Sequence, residues 1–273
     1  MKYKLLVTDI DDTLLTTDKR ITDKVRDALF KAQDTGVTVA IASGRLPIGV
    51  RPFVEKLRIP ERGGCYLAFN GGLILDGQGN ILHSDVLDRR FLKEVYTALR
   101  PYDVTVLVHT HAKIFTDNNQ NSYAYTEPEA LHQPLHLLDN LLTDVDWELH
   151  KILIAGEPEL LREVEPVLKA KLGDELDIFL SAPWFLDVMP KGVNKGRGVR
   201  YLAQRLGIGM DEVIACGDSY NDLSMVQAAG LGVAMRNAEE DLKAAADYVT
   251  ERDCDHDGIA EVVEKFILNA DES

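Results

Sequence analysis

The sequence predicts a doubly wound α/β core, built on a parallel sheet, with a smaller α/β domain inserted into it. Three observations lead there. Short apolar runs alternate with helical patterns up to about residue 83 and again after about residue 190, as in parallel sheets flanked by helices. The stretch between has strands and helices too, but polar and aromatic residues interrupt them. Acidic or hydroxyl-bearing turns follow directly on three of the apolar runs. Ligands of open α/β sheets bind beyond the carboxyl ends of the strands.

Taken in order, residues 4–8 are an apolar run fit for a buried strand. A helix opens after Thr22, a suitable cap, with Val25, Ala28, Leu29 and Ala32 at helical spacing, and Gly36 stops it. Residues 37–42 form a second strand, Pro47 begins the next helix, and residues 66–69 form a third strand ending at Asn70-Gly71-Gly72. In the middle, residues 91–99 and 158–171 read as helices. Residues 104–108 and 113–116 read as exposed-face strands, and 151–155 and 176–181 as further strands. Beyond Pro190 come a helix (194–206), a strand (213–216), a helix (221–229), a strand (231–234) and a last helix (258–268). The division expected is a core of residues 1–83 and 191–273 and a cap of residues 84–190, with 70–73 and 190–192 near the crossings.

The totals narrow the function. The 273 residues are 45% hydrophobic and 27% charged, as in ordinary globular proteins. No apolar run approaches the roughly 20 residues of a membrane span. The start, Met1-Lys2-Tyr3-Lys4, lacks the apolar stretch of a signal peptide. Cys65, Cys216 and Cys254 are sparse and far apart, which suits a reducing compartment, so a cytoplasmic protein is expected. The net charge of −15 repels nucleic acid and anionic membranes. It would repel a phosphate ester as well, so an enzyme acting on one must concentrate positive charge locally.

Four signals carry chemistry. Asp9-Ile10-Asp11-Asp12-Thr13 follows the first strand; carboxylates clustered there call for a cation, and oxygen ligands suit Mg²⁺. Gly217-Asp218-Ser219-Tyr220-Asn221-Asp222 puts further acids at another strand end. Ser43-Gly44-Arg45 offers a hydroxyl and amides for an anion near a helix start. Lys195 enters a helix, where its charge opposes the dipole unless an anion answers it. Alone, each has a blander explanation: an acidic turn, acids in a first helical turn, an N-cap, a solvated lysine.

In combination and in this order, they resemble the haloacid dehalogenase superfamily of phosphatases. Asp9, Asp11 and Thr13 match its Asp-x-Asp-x-Thr motif, Ser43 its second motif and Lys195 its third. Gly217, Asp218, Asn221 and Asp222 match its fourth. Ser-Gly-Arg after the second strand, Asn-Gly-Gly after the third and a large insert between the second and third motifs resemble the Cof-type branch. Asp12 departs from the usual Gly.

The resemblance implies a Rossmann-like core under an α/β cap that governs substrate choice. It implies Asp9 as a nucleophile that becomes an aspartyl-phosphate and Asp11 as general acid and base. Mg²⁺ would be held by Asp9, the Asp11 carbonyl and Asp218, with Asn221 and Asp222 orienting that shell or reaching it through water. Thr13, Ser43, Gly44, Arg45, Asn70 and Lys195 would bind phosphate or substrate. The substrates implied are small phosphomonoesters such as sugar phosphates, flavin mononucleotide or pyridoxal phosphate. A phosphotransferase or phosphomutase would share the same intermediate, and a phospho-accepting switch would use similar strand-end acids. The second carboxylate and the long insert argue for turnover instead. A dinucleotide-binding dehydrogenase is disfavoured, because no Gly-x-Gly-x-x-Gly follows the first strand.

Weaker patterns receive structural readings. Asp253, Asp255, Asp257 and Glu264 have calcium-loop spacing, but a strand rather than a helix precedes them. His109 and His111 read as exposed strand residues, His132 and His136 as sharing a helix face, and Trp147 and Trp184 as cap core.

Overall fold

The structure is a computed structural model describing residues 2–269. The chain forms two compact units. One comprises residues 2–45, 50–83 and 194–269 of the described chain, the other 46–49 and 84–193.

The strands in chain order are β1 (Leu5–Thr8), β2 (Thr38–Ala42), β3 (Cys65–Ala68), β4 (Leu73–Asp76) and β5 (Ile81–Ser84), then β6 (Thr105–His109), β7 (Ile114–Thr116), β8 (Leu135–Leu137), β9 (Ile152–Ala155), β10 (Leu176–Ala182) and β11 (Phe185–Pro190), and finally β12 (Val213–Gly217), β13 (Leu231–Ala234) and β14 (Tyr248–Val249). The first sheet has the order β14-β13-β12-β1-β2-β3-β4-β5. It is parallel from β14 to β3, and β4 turns back antiparallel on β3. Its central strands are buried along their whole length, which is why β1 and β12 read as unbroken apolar runs rather than alternating ones.

The helix Asp23–Asp34 starts where expected. Thr22 Oγ1 accepts the Val25 N–H at 3.1 Å, and Val25, Ala28, Leu29 and Ala32 form its buried face. The stretch 221–229 divides into a single 3₁₀ turn, Tyr220–Asp222, and the helix Leu223–Ala228. The last helix runs α over Gly258–Val263 and π over Glu264–Leu268.

The second unit is a six-stranded sheet, β10-β11-β9-β6-β7-β8, antiparallel except for β7 and β8. The helices Arg89–Leu99 and Pro158–Leu172 share a core with Val106, Val108, Ile152, Ile154 and Val188. Alternation places Thr105, Leu107 and His109 on the other face, and these are buried as well. β6 is therefore not an exposed-face strand, because both its faces are covered.

On that second face lies a cluster of ionisable groups. Glu127 meets His109 Nε2 at 2.6 Å and Lys151 Nζ at 3.3 Å, and Lys151 lies 3.6 Å from Asp187. His109 is thus buried against a carboxylate, contrary to the expectation of exposure. His136 lies on β8 and His132 has left-handed backbone (φ 52°), so no helix face joins them. Trp147 packs on the core, whereas Trp184 is substantially exposed at the turn between β10 and β11. No helix among the described residues is long and apolar enough to cross a membrane.

Candidate active site

Three adjacent strands, β12, β1 and β2, end together. Thr8 pairs with Cys216 on one side and Ile41 on the other. The Asp9 N–H continues the ladder to Cys216 O at 3.0 Å. Asp9 therefore leaves the sheet beside Gly217-Asp218, and Ser43 leaves at the end of β2.

Close packing then draws the third and fourth motifs inward. A Cβ on Gly217 would lie 2.4 Å from Asp222 Cβ, so only glycine lets Asp222 fold back beneath the loop. There Asp222 Oδ2 accepts the Asp218 and Ser219 N–H groups at 3.0 and 3.1 Å. A Cβ on Gly196 would sit 2.2 Å from the Ser224 carbonyl, and the Gly196 N–H donates to Ser224 Oγ at 2.9 Å. Asn194 caps the helix Lys195–Leu206 by accepting the Arg197 N–H. Lys195 is thereby placed in the first turn with no exposure at all, its Nζ 2.5 Å from both Asp9 Oδ1 and Asp222 Oδ1. The carboxylates that its position at the helix start demanded are these two. Burial disfavours its charge, but Asp222 and Asp9 outweigh that and raise its pKa.

Asp218 completes the group. One ligand oxygen each from Asp9, Asp218 and Asp222 lies within 4.8 Å of the others. Burial raises the pKa of Asp9 despite Lys195, and Asp222 and Asp218 add to the rise. Burial likewise pushes Asp218 up to about 7, with the Thr13 hydroxyl opposing and Asp222 and Asp12 adding. Three crowded carboxylates share one ammonium, so a divalent cation fits the excess charge and the oxygen donors. Asp222 has both oxygens committed to Lys195 and to backbone amides, which suits it to orient the group rather than to ligate.

The remaining residues fall nearby in differing ways. Thr13, which the resemblance places among the phosphate or substrate binders, donates from Oγ1 to Asp218 Oδ1 at 2.7 Å and so fixes that carboxylate. The helix after β2 begins only at Pro47, so Ser43 is not its N-cap; Ser43 Oγ accepts the Arg45 N–H at 3.1 Å. Asn70 has left-handed backbone (φ 53°) and donates its N–H to Ser43 O; its Oδ1 accepts from Asn221 Nδ2 at 3.2 Å. A Cβ on Gly44 would come 3.1 Å from that same Oδ1. The loops after β2, β3 and β12 are thus knit together.

Asp11 pairs with Arg45 and Lys19. Arg45 grips it in a fork, Nε to Oδ2 at 2.9 Å and Nη2 to Oδ1 at 2.7 Å. Lys19 Nζ reaches Oδ1 at 3.3 Å and Asp12 Oδ1 at 3.3 Å. Burial alone would raise the Asp11 pKa, but Arg45 and Lys19 lower it. Asp12 answers the question its sequence raised. Its backbone is left-handed (φ 56°), the conformation glycine adopts most cheaply and Asp tolerates, and its side chain is half exposed toward Lys19. Lys19 itself, eight residues from Asp11 and in no motif, gave no signal in the sequence. The calcium-like loop has another use: Asp255 accepts from Thr17 and Asp257 from Thr22, stapling the segment after Asp9–Thr13.

Comparisons with known proteins show the family. The family profile described as haloacid dehalogenase-like hydrolase matches residues 6–263. A crystal structure of a haloacid dehalogenase-like hydrolase from Bacteroides thetaiotaomicron is 37% identical, with a TM-score of 0.91 over 96% of this chain and 99% of its own. The sugar phosphatase BT4131, of subclass IIB of the superfamily, is 28% identical, with a TM-score of 0.80 over 96% of this chain and 98% of its own. The 5-amino-6-(5-phospho-D-ribitylamino)uracil phosphatase YcsE of Bacillus subtilis is 28% identical over 97% of this chain and 96% of its length. The chain belongs to the haloacid dehalogenase-like hydrolase family.

Proposed function

We propose that this hydrolase is a Mg²⁺-dependent phosphatase of small phosphomonoesters that works through a phosphorylated Asp9. The observation that carries the reading is the set of buried Asp9 and Asp222 with half-buried Asp218, close to Lys195 at the carboxyl ends of β1 and β12. Asp9 attacks phosphorus as the bond to the leaving oxygen breaks, and Asp11 gives that oxygen its proton. Asp11 then takes a proton from water as the water attacks the aspartyl-phosphate, releasing phosphate and freeing Asp9. Arg45 and Lys19 lower the Asp11 pKa and so favour the carboxylate that the second half of that cycle needs, while the first half draws on the protonated fraction. Lys195 keeps a fixed positive charge beside Asp9, and Ser43 and the Gly44 amide are suited to hold phosphoryl oxygens. Mg²⁺, held by Asp9, Asp218 and the Asp11 carbonyl, would neutralise charge building on those oxygens.

Substrate choice is assigned to the second unit, since every residue placed in the chemistry belongs to the first. Sugar phosphates or phosphorylated cofactors such as flavin mononucleotide or pyridoxal phosphate are the favoured substrates. The names of BT4131 and YcsE support small phosphate esters of this kind.

Rapid quench and intact-mass measurement test the mechanism. Asp9→Asn should form no phosphoenzyme and release no phosphate. Asp11→Asn should lose about 10²–10⁴-fold in turnover and accumulate one phosphoryl group, because water then lacks its base. Turnover by Asp9→Asn, or label on another residue, would show the nucleophile to be wrong. Transfer to added sugars in preference to water would make the protein a phosphotransferase.

A further inference from the structure

We propose that Lys19 is a positioning residue for Asp11, held on station by Asp12. The proposal rests on the acid–base reading of Asp11 given above.

Lys19 Nζ bridges Asp11 Oδ1 and Asp12 Oδ1, both at 3.3 Å. Arg45 grips the same Asp11 carboxylate from another element. One guanidinium fork fixes the plane of the carboxylate, and a second cation on Oδ1 restrains its swing about the side-chain bonds. The loop that presents Lys19 is built for this. The Thr16 N–H donates to Arg20 O at 2.9 Å, the Lys19 N–H to Thr16 O at 2.8 Å and the Arg20 N–H to Thr16 Oγ1 at 3.1 Å. Asp255 anchors the loop from outside through the Thr17 N–H at 2.8 Å. Lys19 and Asp12 both occupy left-handed backbone, φ 60° and 56°, which non-glycine residues adopt at a cost. Asn237 Nδ2 donates to Asp12 O at 2.7 Å and holds that peptide in place. Two residues in left-handed backbone, Asp12 tied by Asn237 and Lys19 in a loop that Asp255 anchors at Thr17, meet at the carboxylate that moves the protons.

The Lys19 side chain is about half exposed, so its hold is modest: up to about fivefold, in line with exposed ion pairs. Its removal lets Asp11 populate other orientations, and only steps in which Asp11 transfers a proton should slow. A nitrophenyl leaving group hardly needs that proton, whereas a sugar hydroxyl does.

The phosphorylation step is therefore measured by quench on a sugar phosphate and on nitrophenyl phosphate. Lys19→Met should slow it about two- to fivefold on the sugar phosphate, with KM unchanged, and less on the nitrophenyl ester. Lys19→Arg should restore the rate. Asp12→Gly, which suits the left-handed backbone and so should fold normally, should give the same selective loss. In an Asp11→Asn background, Lys19→Met should add nothing. Equal slowing on both esters, a change in KM alone, no loss on the sugar phosphate, or losses that multiply with Asp11→Asn would each overturn the proposal. If Asp11→Asn discriminates between the esters and Lys19→Met does not, the positioning role alone fails. If Asp11→Asn shows no discrimination, the acid–base reading fails and takes this proposal with it.

Discussion

Each unit buries a lysine among carboxylates, and the two clusters are built to different ends. In the first, Lys195 faces Asp9 and Asp222 with Asp218 close by, and the pKa values of Asp9 and Asp218 are raised. In the second, Lys151 faces Glu127 and Asp187, and His109 meets Glu127 from another side. Burial works against the Glu127 charge, yet Lys151 and His109 draw its pKa down to about 2. The first cluster holds more carboxylate than its own cation can satisfy, while the second supplies partners for its best-placed carboxylate. Desolvated charge without a partner is costly, so an excess that persists points to a cation supplied from outside. A buried ionic cluster is thus informative through its balance more than its presence.

The lysines give the largest contrast. Removing one partner of a buried pair typically costs about 3–5 kcal/mol. Lys195→Met and Lys151→Met should both be destabilised on that scale. Mg²⁺ should recover part of the loss in Lys195→Met by meeting the stranded carboxylates, and none in Lys151→Met. Both tryptophans, Trp147 and Trp184, lie in the second unit, so fluorescence follows that unit's unfolding while circular dichroism follows the whole chain. Equal recovery of the two variants by Mg²⁺ would erase the distinction between the clusters.

Next in size is the metal itself. Mg²⁺ at a hundred times its dissociation constant should stabilise the wild type by about 2.7 kcal/mol, read as a shift of the denaturation midpoint. Asp218→Asn should abolish the shift, and Glu127→Gln should leave it intact. Turnover that survives excess chelator would remove the metal from the mechanism.

A further contrast concerns acid. The Glu127 pKa is lowered on folding from its ordinary 4.5 to about 2, so its contribution is present above about pH 4.5 and is lost as pH falls toward 2. That interval corresponds to roughly 3 kcal/mol. Asp187 works in the opposite sense, since burial raises its pKa and it costs stability when ionised, a cost relieved as pH falls. Acid should therefore weaken the second unit by less than Glu127 alone implies. In Glu127→Gln the fluorescence-monitored midpoint should vary less with pH between about 4.5 and 2. An unchanged pH profile would show that Glu127 does not carry the acid sensitivity.

Sequence reasoning reached what depends on local pattern. The continuous apolar runs of β1 and β12, the cap at Thr22, and acids and hydroxyls at strand ends are all properties of neighbours in the chain, and they were enough to propose the core and its candidate residues. The same reasoning missed β4, β5, β8 and β11. It also took β6 and His109 to be exposed, because burial of a strand's second face depends on what packs there. Lys19 and the cluster of Glu127 with Lys151 and Asp187 carried no motif, since their partners lie from 7 to 36 residues away in the chain.

By itself, then, the sequence determined the alternation of elements, the family and the kinds of side chain available for chemistry. The tertiary structure decided which oxygens meet which cations. It gave Thr13 to Asp218, turned Asp11 toward Arg45 and Lys19, and brought Asp222 beneath Gly217 onto Lys195. The physical reason is range. Periodicity and capping act over a few residues and are written along the chain, whereas desolvation and charge pairing depend on distance through space, which exists only once the strands have taken their order in the sheet.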